Sequence, residues 1–153
     1  MLSKKTKYGL QALLILARDY GTGPLLIADL AEKEQIPKKF LELILLQLKN
    51  AGILGSRKGK GGGYFLAKDP AQITMGDAMR VLEGPLAPVP CVSESAYQKC
   101  DECQDENSCG IRLVMKDVRD AMVEILDHAS LKGVLQRSRD ASNQAREIID
   151  FSI

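Results

Sequence analysis

From residue 8 to residue 19 the chain reads Tyr-Gly-Leu-Gln-Ala-Leu-Leu-Ile-Leu-Ala-Arg-Asp. That is apolar almost all round, the pattern of a helix buried in a core. Gly21-Thr22-Gly23-Pro24 ends it. Ile27, Leu30 and Ala31 then recur at helical spacing, Glu34-Gln35-Ile36-Pro37 makes a turn, and Pro37 suits the first turn of a third helix. The third helix runs to about Lys49 with Phe40, Leu41, Ile44, Leu45 and Leu48 inward, and Asn50-Ala51-Gly52 stops it. Ile53-Leu54-Gly55-Ser56 and Tyr64-Phe65-Leu66-Ala67 flank a glycine- and cation-rich tip, the pattern of a β-hairpin. Thr74, with Asp77 three residues on, caps a fourth helix reaching about Leu82.

A proline-rich linker, Glu83-Gly84-Pro85-Leu86-Ala87-Pro88-Val89-Pro90, leads into a segment that holds all four cysteines. Beyond it Ile111, Val114, Met115, Val118, Met122, Ile125, Leu126 and Ala129 form one stripe on a long helix. Ser130 caps a last, short helix carrying Leu131, Val134 and Leu135, and the polar tail from Arg137 is expected to be loosely held. The predicted fold is mainly α with a small β-wing, a winged helix-turn-helix domain plus a long dimerisation helix. The segments are 1–84 for the winged domain, 85–110 for the linker and cysteine loop, 111–136 for the dimerisation and short helices, and 137–153 for the tail.

Charge sharpens this picture. Residues 1–68 hold twelve of the 21 basic side chains and only five of the 20 acidic ones, so that half carries +7 and the remainder −6. A basic half concentrates near a polyanion. The second helix of a helix-turn-helix fits a major groove, which makes Lys38, Lys39, Phe40 and Glu42 candidates for DNA contact. Glu42 has the chemistry to accept from a cytosine amino group. In the wing, Arg57, Lys58 and Lys60 lie among glycines, and Gly61, Gly62 and Tyr64 complete the candidate set. Glycine lets backbone approach phosphates and the cations neutralise them. A nucleotide-loop reading fails, because neither Gly-Lys-Ser/Thr nor Gly-x-Gly-x-x-Gly opening a helix is present.

The cysteine spacing is Cys91-x8-Cys100-x2-Cys103-x5-Cys109. Four thiolates complete a tetrahedral zinc site or hold an iron–sulfur cluster, and spacing alone does not choose. Asp101, Glu102, Asp105 and Glu106 make the loop anionic, which disfavours a reactive low-pKa thiol. His128 reads as an ordinary helix residue. With no nucleophile elbow, no histidine pair and no other catalytic constellation, the chain is not expected to be an enzyme. No apolar run approaches the ~20 residues of a membrane span, and no signal peptide is read at the N-terminus, so a cytoplasmic protein is expected.

Ile36-Pro37, Phe40-Leu41-Glu42, Ala51-Gly52-Ile53-Leu54, Lys58-Gly59, Gly61-Gly62-Gly63-Tyr64, Ile73-Thr74 and Glu83-Gly84-Pro85-Leu86 together resemble the IscR/NsrR/CymR family of bacterial regulators. The resemblance extends to Leu135. It implies a homodimer that binds near-palindromic double-stranded DNA. It also implies an iron–sulfur cluster, two-iron two-sulfur by preference, because the CymR-like subset lacks the loop cysteines. Zinc is the alternative cofactor. The expected function is a transcription regulator sensing cluster, iron, nitrosative or redox status. A zinc-stabilised or thiol-redox regulator is one alternative. A small iron–sulfur electron carrier is another, but it leaves the basic wing unexplained.

The chain departs from those relatives at informative places. Lys58 stands where arginine is usual, and Leu43 where a polar base-reading residue is common. Relatives complete the cluster with a histidine or an acid; those positions are Arg112 and Lys7 here. The implied ligands are therefore Cys91, Cys100, Cys103 and Cys109, with Cys100 the addition, and an all-thiolate site lowers the reduction potential.

Overall fold

A computed structural model describes residues 2–152. Helix α1 (Lys4–Arg18) begins a turn earlier than its apolar run, because Ser3 caps it by accepting from the Thr6 N–H. Thr6 is fully buried, and its hydroxyl donates to the Glu83 carboxylate at the far end of the domain. Helices α2 (Ile27–Glu34) and α3 (Lys38–Asn50) are joined by a three-residue turn. Gln35 takes a left-handed conformation there, Ile36 is buried and Pro37 is the N-cap of α3.

Leu48 and Gly52 explain how α3 ends. The Ile53 N–H donates to the Leu48 carbonyl at 3.0 Å and the Gly52 N–H to the Lys49 carbonyl at 2.9 Å. This pair of bonds is a Schellman closure, and it requires the φ of +80° that Gly52 supplies. Strands β1 (Leu54–Arg57) and β2 (Gly63–Leu66) follow as an antiparallel hairpin with Leu54 opposite Leu66 and Arg57 opposite Gly63. Helix α4 (Met75–Leu82) carries the expected capping box, Thr74 accepting from Asp77 N–H and Asp77 from Thr74 N–H.

One core unites these elements. Leu13 of α1, Leu30 of α2, Leu41, Ile44, Leu45 and Leu48 of α3, Ile73, and Leu131 are essentially inaccessible to water. Burying a leucine fully is worth roughly 1.5–3 kcal/mol, so this set dominates the stability of the domain.

The last two helices depart from the sequence-based expectation. Helix α5 (Gly110–His128) has no buried residue. Its predicted stripe is split: Met115, Met122, Leu126 and Ala129 are half-buried, while Ile111, Val114, Val118 and Ile125 are exposed. Helix α6 runs from Leu131 to Phe151, 21 residues. The short helix followed by a loose tail is therefore corrected. Polarity marks the absence of a core contact, not the absence of a helix. Residues 134–151 contain no glycine or proline, and Gln136 Nε2 donates to Asp140 one turn on at 2.9 Å.

Candidate nucleic-acid interface and cysteine cavity

The wing lies beside α3 because Leu25, just ahead of α2, pairs with it. The Leu25 N–H donates to the Tyr64 carbonyl and the Tyr64 N–H to the Leu25 carbonyl, both at 2.9 Å. Gly62 and Gly63 permit that approach. A β-carbon on Gly62 would sit 2.2 Å from the Arg57 carbonyl oxygen, and one on Gly63 2.2 Å from that of Leu25. Gly62 is thus required to close the hairpin, a demand that exists without any phosphate nearby.

Between α3 and the wing lies a concavity of about 470 Å³ whose polar lining includes Lys38, Glu42, Lys49, Arg57 and Lys58. Sequence candidates from two separate elements are thereby brought to one surface, with Gly62 and Tyr64 on its floor. Lys39, Lys60 and Gly61 are exposed but lie outside it. Phe40 and Tyr64 are half-buried and pack on the core, Phe40 edge-on to Tyr8 at 5.8 Å between ring centres. Both aromatics seat the elements that carry the cations. Lys49 was not foreseen; it lies eleven residues beyond Lys38, three helical turns along the same face.

The second site gathers all four cysteines. Cys91 sits in a 3-10 turn (Pro90–Val92), Cys109 is the N-cap of α5, and the Cys103 N–H donates to the Cys100 carbonyl at 3.2 Å. All four thiols are free and line one cavity of about 380 Å³, together with Glu106 and Arg112. Among the described residues, however, no three Cys, His, Asp or Glu side chains converge as a ligand set. The thiols surround the cavity without meeting in it. Burial first, and then the adjacent Cys109 thiol, push the Cys103 thiol above its ordinary value. Four soft donors around one space fit a cluster or zinc in number and kind, and a metal would have to displace their protons.

Two arginines tie this cavity to α5. Arg112 Nε donates to the Cys91 carbonyl at 3.3 Å, and Arg119 Nη1 donates to the Val92 carbonyl at 2.7 Å. Arg119 also pairs with Asp120 and, at 3.7 Å, with Glu94. The only sequence signal for this brace is two arginines spaced by seven, on one face of a helix. Lys7, by contrast, is an exposed residue of α1. His128 is exposed, its Nδ1 lying 2.8 Å from the Glu124 carbonyl, remote from the cavity lining. That bond and the Glu124 carboxylate raise its pKa.

The far end of α5 grips the winged domain. Arg80 of α4 donates to both carboxylate oxygens of Asp127, at 2.7 and 2.9 Å. The bidentate pair holds the Asp127 carboxyl below the usual carboxylate range. The Met75 N–H donates to the Ala129 carbonyl and the Leu131 N–H to the Ile73 carbonyl, each at 2.8 Å.

A helix-turn-helix with a basic wing, followed by a cysteine loop and a long helix, is an arrangement with known counterparts. The model of the Rrf2 family, described as an iron-dependent transcriptional regulator, matches residues 2–137. The chain belongs to the Rrf2 family. It is similar to an Rrf2-like HTH-type transcriptional regulator of Rhodobacter capsulatus, 40% identical over 153 residues that span 98% of this chain and 99% of that one. Among solved structures, CymR, described as the global cysteine regulator of B. subtilis, superposes with a TM-score of 0.75 at 32% identity, covering 90% of this chain and 97% of that one. IscR of T. potens gives a TM-score of 0.72 at 29% identity, covering 92% of this chain and 90% of that one. Rrf2 proteins are transcriptional regulators and not enzymes, which agrees with the lack of a catalytic constellation read from the sequence. No described helix is long and apolar enough to cross a membrane.

Proposed function

We propose that this Rrf2-family regulator is a homodimer that binds a near-palindromic operator, and that a two-iron two-sulfur cluster held by Cys91, Cys100, Cys103 and Cys109 sets its affinity. The observation that carries the cluster reading is that all four cysteines line one cavity, which is braced to α5. When bound, the cluster supplies sensitivity to iron, nitrosative or redox status. The chain's own residues supply the rest. Arg112 and Arg119 hold the Cys91 turn to one end of α5, and Arg80 with Asp127 hold the winged domain to the other. A change in how the loop sits is thereby felt along the helix. The exposed edge of α5, with Ile111 72% and Ile125 65% accessible, supports pairing with a second copy. In this reading Lys38, Lys49, Arg57 and Lys58 contact phosphate and Glu42 a base edge, which is supported by their lining one concavity between α3 and the wing.

Anaerobic reconstitution tests the cofactor. The expected result is iron and sulfide in equal amounts with a charge-transfer absorption in the visible, lost on replacing any one of the four cysteines by alanine. Zinc without sulfide would replace the cluster by a structural metal. A Cys100→Ala protein with unchanged spectrum and cluster lifetime would reduce the ligand set to three thiols. A second reading, a thiol-redox regulator, is favoured by one feature: the thiols do not converge as a ligand set, while Cys103 and Cys109 are immediate neighbours. It predicts oxidant-dependent DNA affinity in protein free of metal.

A further inference from the structure

Each side of α3 but one is occupied. Leu41, Ile44, Leu45 and Leu48 face the core. Phe40 packs on Tyr8, and Gln47 accepts from Lys5 Nζ at 3.2 Å and donates to the Val81 carbonyl at 2.6 Å, which covers the side toward α1 and α4. Lys38, Glu42 and Lys49 line the concavity toward the wing. The face that remains, opposite the core, is Lys39, Leu43, Leu46 and Asn50, successive turns of the helix. Leu43 is 66% exposed and Leu46 46%. Neither leucine belongs to the core or packs against it.

Their surroundings indicate the occupant. Lys39 shares their face one turn before Leu43, and the adjoining concavity is lined by Lys38, Lys49, Arg57 and Lys58, with Glu42 the one acid among its described lining residues. A second copy of so basic a surface would be repelled, whereas a duplex is attracted. An α-helix fits the major groove, and the apolar group displayed there is the C5-methyl of thymine. We propose that Leu43 is a specificity-determining residue that packs against a thymine methyl group in the operator major groove, with Leu46 completing the apolar strip. The proposal rests on the DNA-binding reading above. Preference for thymine at one position of each half-site then comes from apolar contact rather than from a hydrogen bond.

The test uses the full-length protein and the duplex it selects from a randomised library. Each thymine of the half-sites is replaced in turn by deoxyuridine, which lacks only the methyl group. Wild-type protein is expected to lose about fourfold in affinity at one thymine position per half-site, the equivalent of ~0.8 kcal/mol for one buried methylene-sized group. Leu43→Ala is expected to bind the thymine and uracil duplexes equally, with an unchanged melting temperature. Wild-type indifference to every replacement would overturn the proposal, and it needs no variant to be seen. So would a Leu43→Ala protein that keeps the wild-type preference. Dissociation of a wild-type dimer by Leu43→Ala would assign the face to a second copy and overturn it as well. Failure to select any duplex is a different outcome: it contradicts the DNA-binding reading itself.

Discussion

Arg119 shows what a linear sequence hides. Its guanidinium is nearly buried, donates to the Val92 carbonyl across 27 residues of chain, and meets Glu94 at 3.7 Å. Nothing in the local pattern connects Val92 with Arg119. The cysteines, in contrast, were legible, because four thiols in one short anionic loop are a chemical statement on their own. Legible also was Glu42, whose place on the third helix follows from period alone. Phe40 and Tyr64 are candidates by their position in the motif; both are half-buried against the core, and Tyr64 also lines the concavity between α3 and the wing. Arg119→Met keeps the apolar stem and removes the donor. A hydrogen bond to a charged group contributes ~1.5–3 kcal/mol, so amide exchange across residues 92–109 should accelerate by about 10- to 100-fold. Amides of α1 and α3 should not change. Exchange mass spectrometry reads both, and equal protection in variant and wild type would remove the brace from the account.

At the scale of elements, the core helices were legible because their periodicity is enforced by burial. Leu41, Ile44, Leu45 and Leu48 had to share a face, and they do. Helix α6 was not, because its apolar anchor ends near Leu135 and propensity alone carries it onward to Phe151. The stripe on α5 was seen, but its division was not. Which edge meets the winged domain is decided by Arg80 and Asp127, a contact between residues 47 apart. The remaining edge, with Val114, Val118 and Ile125 in water, makes a definite prediction. Val118→Asp should convert the protein from dimer to monomer in sedimentation and cost at least tenfold in affinity for a palindrome. The fold of the single chain should survive, since Val118 is exposed in it. A wild-type monomer that binds a full palindrome would contradict this reading of α5.

At the scale of the whole molecule, the charge asymmetry and the architecture agree. Residues 1–68, the basic half, fold into α1 to the wing, and the acidic remainder holds α4, the linker, the anionic cysteine loop and the two long helices. The helix-turn-helix, the wing and α4 were legible, because each is marked by its own turn chemistry: Gln35-Ile36-Pro37, Gly52 and Thr74. The joining of α3 and wing cations on one concavity was not, because it depends on the Leu25–Tyr64 pairing, which leaves no periodic trace. In the proposed function the cysteine cavity and the DNA surface form one coupled device. The most direct measurement is the affinity of the full-length protein for its selected palindromic duplex, made anaerobically at one fixed salt concentration, with and without reconstituted cluster. The account predicts that the two affinities differ by about tenfold or more, a coupling of ~1.4 kcal/mol, and that the difference vanishes in the Cys103→Ala protein. Equal affinities for the two forms would contradict it.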